Sequence, residues 1–123
     1  MSGVGKVTRG LKAGLSGVLF FLATGLHPSQ AQPMTGELIL EKMDLKERYA
    51  YVSGIVTGMA YARFRKDTLA SGARDERGMN CIHDWYFTGE GRTFVMLEEA
   101  FRKNGQYTPS VIIASLLKKE CGE

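Results

Sequence analysis

Residues 44–65, "DLKERYAYVSGIVTGMAYARFR", carry the clearest helix signal in the chain and decide its fold class. The segment opens with Asp44 and has Glu47 three residues later, the spacing of a capping box, in which each side chain accepts a hydrogen bond from the other residue's backbone N–H. The apolar positions that follow alternate at spacings of four and three, the period of one helical face: Leu45, Tyr49, Val52, Val56 and Met59. The pattern predicts a long helix ending near Arg65.

A second pattern on the same helix is a stripe of small residues. Gly54, Gly58 and Ala62 recur every four residues, which allows the backbone of another helix to approach closely. Charged residues flank the stripe, and this argues against pairing inside a membrane. The stripe therefore predicts a tight helix crossing within a small soluble bundle.

The first 31 residues have the three-part layout of a secretory signal peptide. Three basic residues precede an uncharged, mostly apolar run at residues 13–26, and Ser29-Gln30-Ala31 is a small-x-small cleavage site. A membrane-spanning helix needs about 20 apolar residues, so this run is too short to favour an anchor. We expect cleavage near Ala31, a periplasmic location and no stable membrane insertion.

Removing the leader changes the charge of the protein. The whole chain has 16 Lys and Arg against 13 Asp and Glu, and three of the basic residues lie in the leader, which leaves 13 against 13. The mature protein (residues 32–123) therefore has no net charge, and it has no basic stripe interleaved with aromatic residues. These features argue against a nucleic-acid partner.

The mature protein is long enough for one domain. Thr35 can cap a short first helix, Thr88 a third helix over residues 90–103, and Thr108-Pro109 can open a last helix that ends near Glu120. Residues 66–80 are polar and glycine-containing, and they predict a long exposed loop. No strand pattern with a period of two competes, so we expect an all-α fold: a small four-helix bundle with one long loop and one disulfide.

The disulfide is predicted between Cys81 and Cys121, the two cysteines of the chain. An even pair of cysteines in an exported protein indicates a disulfide. The predicted third and fourth helices form an antiparallel hairpin, so Cys121 at the end of one returns to Cys81 just before the start of the other. Closing this loop should stabilise the domain by about 4 kcal/mol in the chain-entropy model.

Two kinds of chemistry compete for the stretch "CIHDWYFTGEGR" at residues 81–92. Cys81 and His83 suggest a nucleophile and its base, but a disulfide removes the thiolate that such catalysis needs. Together with Asp84 and Cys121 they supply enough zinc ligands, yet their spacing is not one of the established zinc patterns. We therefore expect no enzyme activity, no catalytic residue, no metal and no cofactor.

The aromatic residues of this stretch leave two alternatives open. Trp85, Tyr86 and Phe87 can pack over the disulfide and the end of the bundle. Alternatively, part of this cluster is exposed and anchors a protein interface together with the 66–80 loop.

Four segments stand in order along the chain: "MTGELIL" at residues 34–40, "YVSGIVTGMAYA" at 51–62, "CIHD" at 81–84 and "FVMLEEAFRKNGQYTPSVIIASLLKKEC" at 94–121. Taken together, they resemble the Tai family of small periplasmic immunity proteins, which neutralise peptidoglycan amidases of type VI secretion systems. The resemblance implies an all-helical periplasmic protein, with a homodimer as one expected assembly, which blocks the active-site cleft of an amidase with an exposed loop.

The matched residues belong to the scaffold, so the resemblance assigns no inhibitory residue. We choose residues 67–78 as the expected contact surface because the segment is long, polar and predicted to be exposed. The candidate partner-binding residues are Asp67, Arg74, Asp75, Arg77, Trp85 and Tyr86. The competing hypothesis is a general periplasmic helical protein, similar to the small acid-stress chaperones that have two cysteines.

Overall fold

The computed structural model describes residues 31–123, together with Gly3 and Gly5. The predicted signal peptide otherwise lies outside the described residues. Over 31–123 the chain forms one compact unit with five helices and no strand: α1 (Gly36–Lys42), α2 (Leu45–Ser71), α3 (Arg77–Phe87), α4 (Arg92–Lys103) and α5 (Pro109–Cys121). The all-α prediction is confirmed, whereas the predicted number of helices is too small by one.

Helix α1 begins at the predicted cap and is held by the loop between α4 and α5. The Thr35 side chain accepts a hydrogen bond from the N–H of Leu38. Two more N–H groups of the first turn donate to carbonyls of that loop, Gly36 to Tyr107 at 2.9 Å and Glu37 to Gly105 at 3.1 Å. The backbone N–H groups at the start of a helix have no partner within the helix, and here tertiary contacts satisfy two of them. These contacts fix α1 against α4.

Helix α2 has the predicted capping box but is longer than predicted. Asp44 accepts from the N–H of Glu47, and Glu47 accepts from the N–H of Asp44. The helix continues past Arg65 to Ser71 and stops at Gly72, whose φ of 71° is left-handed. Residues 66–71 are mostly polar, but they contain no glycine or proline that would end a helix. The helix therefore continues to Gly72, the first glycine after them.

Helix α3 is the element that the sequence interpretation missed. The stretch from Cys81 to Phe87 was expected to precede a helix, but it lies inside one. The buried residues of α3 are Gly78, Ile82 and Tyr86, which recur every four residues and form a single face against α2. The predicted loop at residues 66–80 is therefore wrong over most of its length, and the connection is reduced to residues 72–76.

The core is built from all five helices, and it corrects the predicted apolar face of α2. The buried residues are Ile39 in α1, Val52, Val56 and Ala60 in α2, Ile82 and Tyr86 in α3, Phe94, Leu97 and Phe101 in α4, and Ile112, Ile113 and Leu117 in α5. On α2 the first two predicted core positions, Leu45 and Tyr49, are 61 % and 45 % exposed.

The small-residue stripe of α2 does not form the predicted helix crossing. Gly54, Gly58 and Ala62 are exposed, and a Cβ added at either glycine would meet nothing within 4 Å. The buried face of α2 lies instead on Val52, Val56 and Ala60.

Candidate functional site

The disulfide between Cys81 and Cys121 is confirmed, with an S–S distance of 2.02 Å and a Cα–Cα distance of 5.9 Å. It joins the middle of α3 to the last residue of α5. The sequence predicts Cys81 just before α4, but the structure places it inside α3. This helix packs against both α2 and α5, and that packing brings Cys81 to Cys121. The bond therefore ties the α2–α3 helical hairpin to the end of the chain.

Beyond this bond lies a segment that has no buried residue, and we refer to residues 61–77 as the hairpin tip. It comprises the last turns of α2, the connection at 72–76 and the first residue of α3. The Arg63 side chain contacts the carbonyl oxygens of Cys121 and Gly122, at 3.4 and 3.0 Å, where α5 ends. Helix α2 continues for eight residues after Arg63, or about 12 Å at 1.5 Å per residue. The tip thus extends past the end of α5.

Polar contacts hold the base of the tip, which contributes no residue to the hydrophobic core. The Arg63 Nε donates to Asp67 Oδ2 at 2.7 Å, and both side chains are more than four-fifths buried. Gly78 packs directly on this ion pair: a Cβ there would lie 2.5 Å from Asp67 Oδ2 and 2.6 Å from Arg63 Cγ. Only a residue without a side chain allows α3 to approach the pair this closely.

Hydrogen bonds to the last turn of α2 hold the connection between α2 and α3 in place. The N–H of Asp75 donates to Thr68 Oγ1 at 3.0 Å, which joins the connection to the last turn of α2. The Ser71 hydroxyl donates to the carbonyl of Ala73 at 2.7 Å. These bonds order the connection without a core.

Asp75 is the acceptor at the start of α3. Its Oδ1 accepts from the backbone N–H of Arg77 at 3.1 Å and from Arg77 Nε at 3.0 Å, and its Oδ2 accepts from Arg77 Nη2 at 2.7 Å. These hydrogen bonds, with the positive charge of Arg77, lower the pKa of the Asp75 carboxyl from 3.8 to about 2. The same pair raises the pKa of the Arg77 guanidinium. The ion pair therefore stays charged over the ordinary pH range.

An open cleft of about 550 Å³ runs along the tip and includes the disulfide in its wall. Its lining is largely polar because the two ion pairs of the tip contribute to it. The lining residues are Arg63, Asp67, Ala70, Ser71, Asp75, Arg77, Gly78, Cys81 and Cys121.

The aromatic residues of α3 divide between core and surface. Tyr86 is 3 % exposed, and its hydroxyl lies 3.0 Å from Ser53 Oγ, so it is a core residue, as in the first of the two alternatives, and presents little surface to a partner. Burial raises the pKa of the Tyr86 hydroxyl. Trp85 is half-buried against the core, and its carbonyl accepts from Thr93 Oγ1 at 2.6 Å. Phe87 is the exposed member, at 46 %.

The structure brings four of the six predicted partner-binding residues together. Asp67, Arg74, Asp75 and Arg77 share the hairpin tip, whereas Trp85 and Tyr86 lie two turns or more further along α3. Sequence reasoning missed Arg63 and Gly78 at the base of the tip. The spacing of Arg63 and Asp67, four residues apart on a helix, was the available signal for their ion pair.

No group of three or more His, Cys, Asp or Glu side chains within the described part of the chain could hold a metal ion. Within that same part, no helix has the length and apolar character needed to cross a membrane. Comparisons of the chain with models of protein families, with curated proteins and with solved structures find no match. The resemblance to the Tai family therefore stays a prediction.

Proposed function

We propose that residues 32–123 are an exported, non-catalytic binding protein that neutralises a peptidoglycan amidase toxin of a type VI secretion system. In this proposal the hairpin tip enters the active-site cleft of the amidase and excludes its substrate. The observation that carries the proposal is the tip itself, a helical hairpin end that extends past α5 with no buried residue of its own.

The order within the tip favours an inhibitory role. A segment that is disordered before binding loses conformational entropy when it binds, and a segment held in its bound form avoids that loss. Here the Arg63–Asp67 and Asp75–Arg77 pairs and the Asp75–Thr68 hydrogen bond hold the tip, and the disulfide fixes its base. A pre-ordered projection suits the occlusion of a cleft.

Export is supported by two independent features. The leader has the layout of a cleavable signal peptide. The disulfide forms readily outside the cytoplasm, where thiols are not kept reduced. Both features agree with a partner that attacks peptidoglycan.

The test is binding and inhibition by the purified, oxidised mature protein. The proposal predicts that the partner is a secreted peptidoglycan amidase whose gene lies beside the gene of this protein. We expect a dissociation constant in the nanomolar range by isothermal titration calorimetry, and loss of peptidoglycan hydrolysis at a one-to-one molar ratio. An amidase that neither binds nor loses activity would refute the proposal.

A second candidate function is binding of unfolded client proteins under acid stress, and a separate surface favours it. Leu45, Tyr49, Phe87 and Val95 are each 45–63 % exposed, at the end of α2 opposite to the hairpin tip. Ring contacts connect Tyr49 with Phe87, because Tyr49 lies 6.2 Å from Tyr86, which contacts Phe87 at 4.7 Å. Leu45 and Val95 line one shallow surface depression together with Phe94, whose ring lies 5.3 Å from that of Tyr49. An apolar-surface dye that binds equally at pH 3 and pH 7 would exclude an acid-triggered chaperone.

A further inference from the structure

Arg77 presents a free hydrogen-bonding edge to solvent. Its guanidinium uses Nε and Nη2 on Asp75, and 89 % of its side chain is exposed. No hydrogen bond within the described part of the chain uses Nη1. A guanidinium has five N–H donors in a planar fork, so the Nη1–Nη2 edge remains able to bind a second carboxylate.

Arg74 repeats this arrangement three residues earlier. Its Nε donates to Glu76 Oε1 at 2.8 Å and its Nη2 donates to the same oxygen, while 77 % of the side chain is exposed. The guanidinium carbon lies 5.7 Å from the centre of the Phe64 ring, a cation–π distance that further restrains it. Its Nη1 also makes no hydrogen bond to a described residue. Two arginines of the tip are thus oriented by their own carboxylate partners.

The charges of the tip are arranged with the cations outward. The tip has five basic and three acidic residues, whereas the mature protein as a whole has 13 of each. The side chains of Asp67 and Asp75 are only 17 % and 13 % exposed. The basic side chains of Arg65, Lys66, Arg74 and Arg77 are all exposed. A partner therefore meets an excess of positive charge on this surface.

We propose that Arg74 and Arg77 act as a double fork that binds two carboxylates on an acidic segment of the partner protein. This inference rests on the proposed function, because it names the chemistry that the same tip recognises. Each fork makes a bidentate, charge-assisted contact with one Asp or Glu side chain of the partner. The intramolecular partners Asp75 and Glu76 hold the forks in place and reduce the conformational entropy lost on binding.

Carboxylates on a protein are favoured over phosphates on a nucleic acid. Nucleic-acid affinity comes from many phosphate contacts spread over a basic surface. This surface has an excess of two positive charges, and the mature protein has none. Two oriented forks suit a pair of carboxylates on a folded partner.

The test compares three variants of the oxidised mature protein with the wild type for affinity towards the amidase. We expect the pair Arg74→Gln and Arg77→Gln to raise the dissociation constant at least tenfold. The pair Arg74→Lys and Arg77→Lys should weaken binding severalfold, because lysine retains the charge but has no fork. Arg102→Gln is the matched control, since Arg102 is an exposed arginine of α4 paired with Glu99, and its effect should stay below twofold.

Each outcome separates this inference from the proposed function. An unchanged dissociation constant for the glutamine pair, with the fold verified by circular dichroism, would overturn the double fork and leave the inhibitor proposal standing. If the lysine pair binds with wild-type affinity, the charges alone account for binding and the double fork is overturned.

An acidic peptide can take the place of the amidase, so the double fork can be tested even if the inhibitor proposal fails. In a titration with a hexaglutamate peptide we expect the Nε–H nuclear magnetic resonances of Arg74 and Arg77 to shift before that of Arg102. No selective shift would overturn the inference. Tighter binding of a single-stranded oligonucleotide with the same number of charges would also overturn it, in favour of phosphate recognition.

Discussion

Gly78 is the residue of α3 that packs directly on the Arg63–Asp67 ion pair at the base of the hairpin tip. Replacing it with alanine would place a Cβ 2.5 Å from Asp67 Oδ2 and 2.6 Å from Arg63 Nε, so the ion pair must move. Overpacking of this kind costs about 1–3 kcal/mol. We expect Gly78→Ala to lower the free energy of unfolding by that amount, measured by urea denaturation with circular dichroism.

Gly58 provides the matched control for this substitution. It is also a helical glycine, but it is exposed and a Cβ there would meet nothing within 4 Å. Since alanine is favoured over glycine in a helix by about 1 kcal/mol, Gly58→Ala should stabilise the protein. Equal effects of the two substitutions would mean that close packing at Gly78 is not the reason for its glycine.

Residue type alone did not decide which aromatic side chains of α3 are buried. Trp85, Tyr86 and Phe87 are consecutive on a helix, so they point in directions about 100° apart. Tyr86 shares a face with Ile82 and enters the core, while Phe87 is exposed although it is the least polar of the three. Which aromatic side chain is buried depends on the direction in which each one leaves the helix. This direction can be predicted only once α3 is recognised as a helix.

At the level of elements, the sequence predicted well those helices that have strong boundary signals. The capping box of α2 and the Thr108-Pro109 start of α5 both appear as expected. The N-cap residue of α3, Glu76, makes no side-chain cap hydrogen bond, and Gly78 lies in the first turn. Helix α3 is stabilised mainly by packing on α2, which is a tertiary effect that local signals do not show.

The disulfide is the covalent link between two elements, α3 and α5. The double substitution Cys81→Ser and Cys121→Ser should lower the free energy of unfolding by about 4 kcal/mol in the chain-entropy model, since 40 residues separate the cysteines. Thermal unfolding of the oxidised wild type and of the variant measures the difference. For a domain with a total stability of about 5–15 kcal/mol, the loss is large.

The reduced wild-type protein is the control for the serine variant. A dithiol reductant should lower its stability to a similar extent, while the variant should not respond to the reductant at all. If the oxidised wild type and the variant unfold at the same temperature, the bond does not stabilise the folded protein.

At the scale of the whole molecule, opposite charges are separated along the bundle. The hairpin tip has an excess of two positive charges, and the rest of residues 32–123, with eight basic and ten acidic residues, has an excess of two negative charges. Such an arrangement orients an approaching charged partner and makes the association rate depend on ionic strength.

The acid stability of the folded protein should depend measurably on Asp75. Its pKa is lowered from 3.8 to about 2 in the folded protein, mainly by hydrogen bonds from Arg77. A group with a lowered pKa adds stability at pH values above its unfolded pKa, and this contribution is lost as the pH falls through the folded pKa. We therefore expect Asp75→Asn to be less stable than the wild type at pH 7, with a difference that shrinks between about pH 4 and pH 2. Urea denaturation at a series of pH values measures this difference, and a gap that stays constant down to pH 2 would contradict the role assigned to the ion pair.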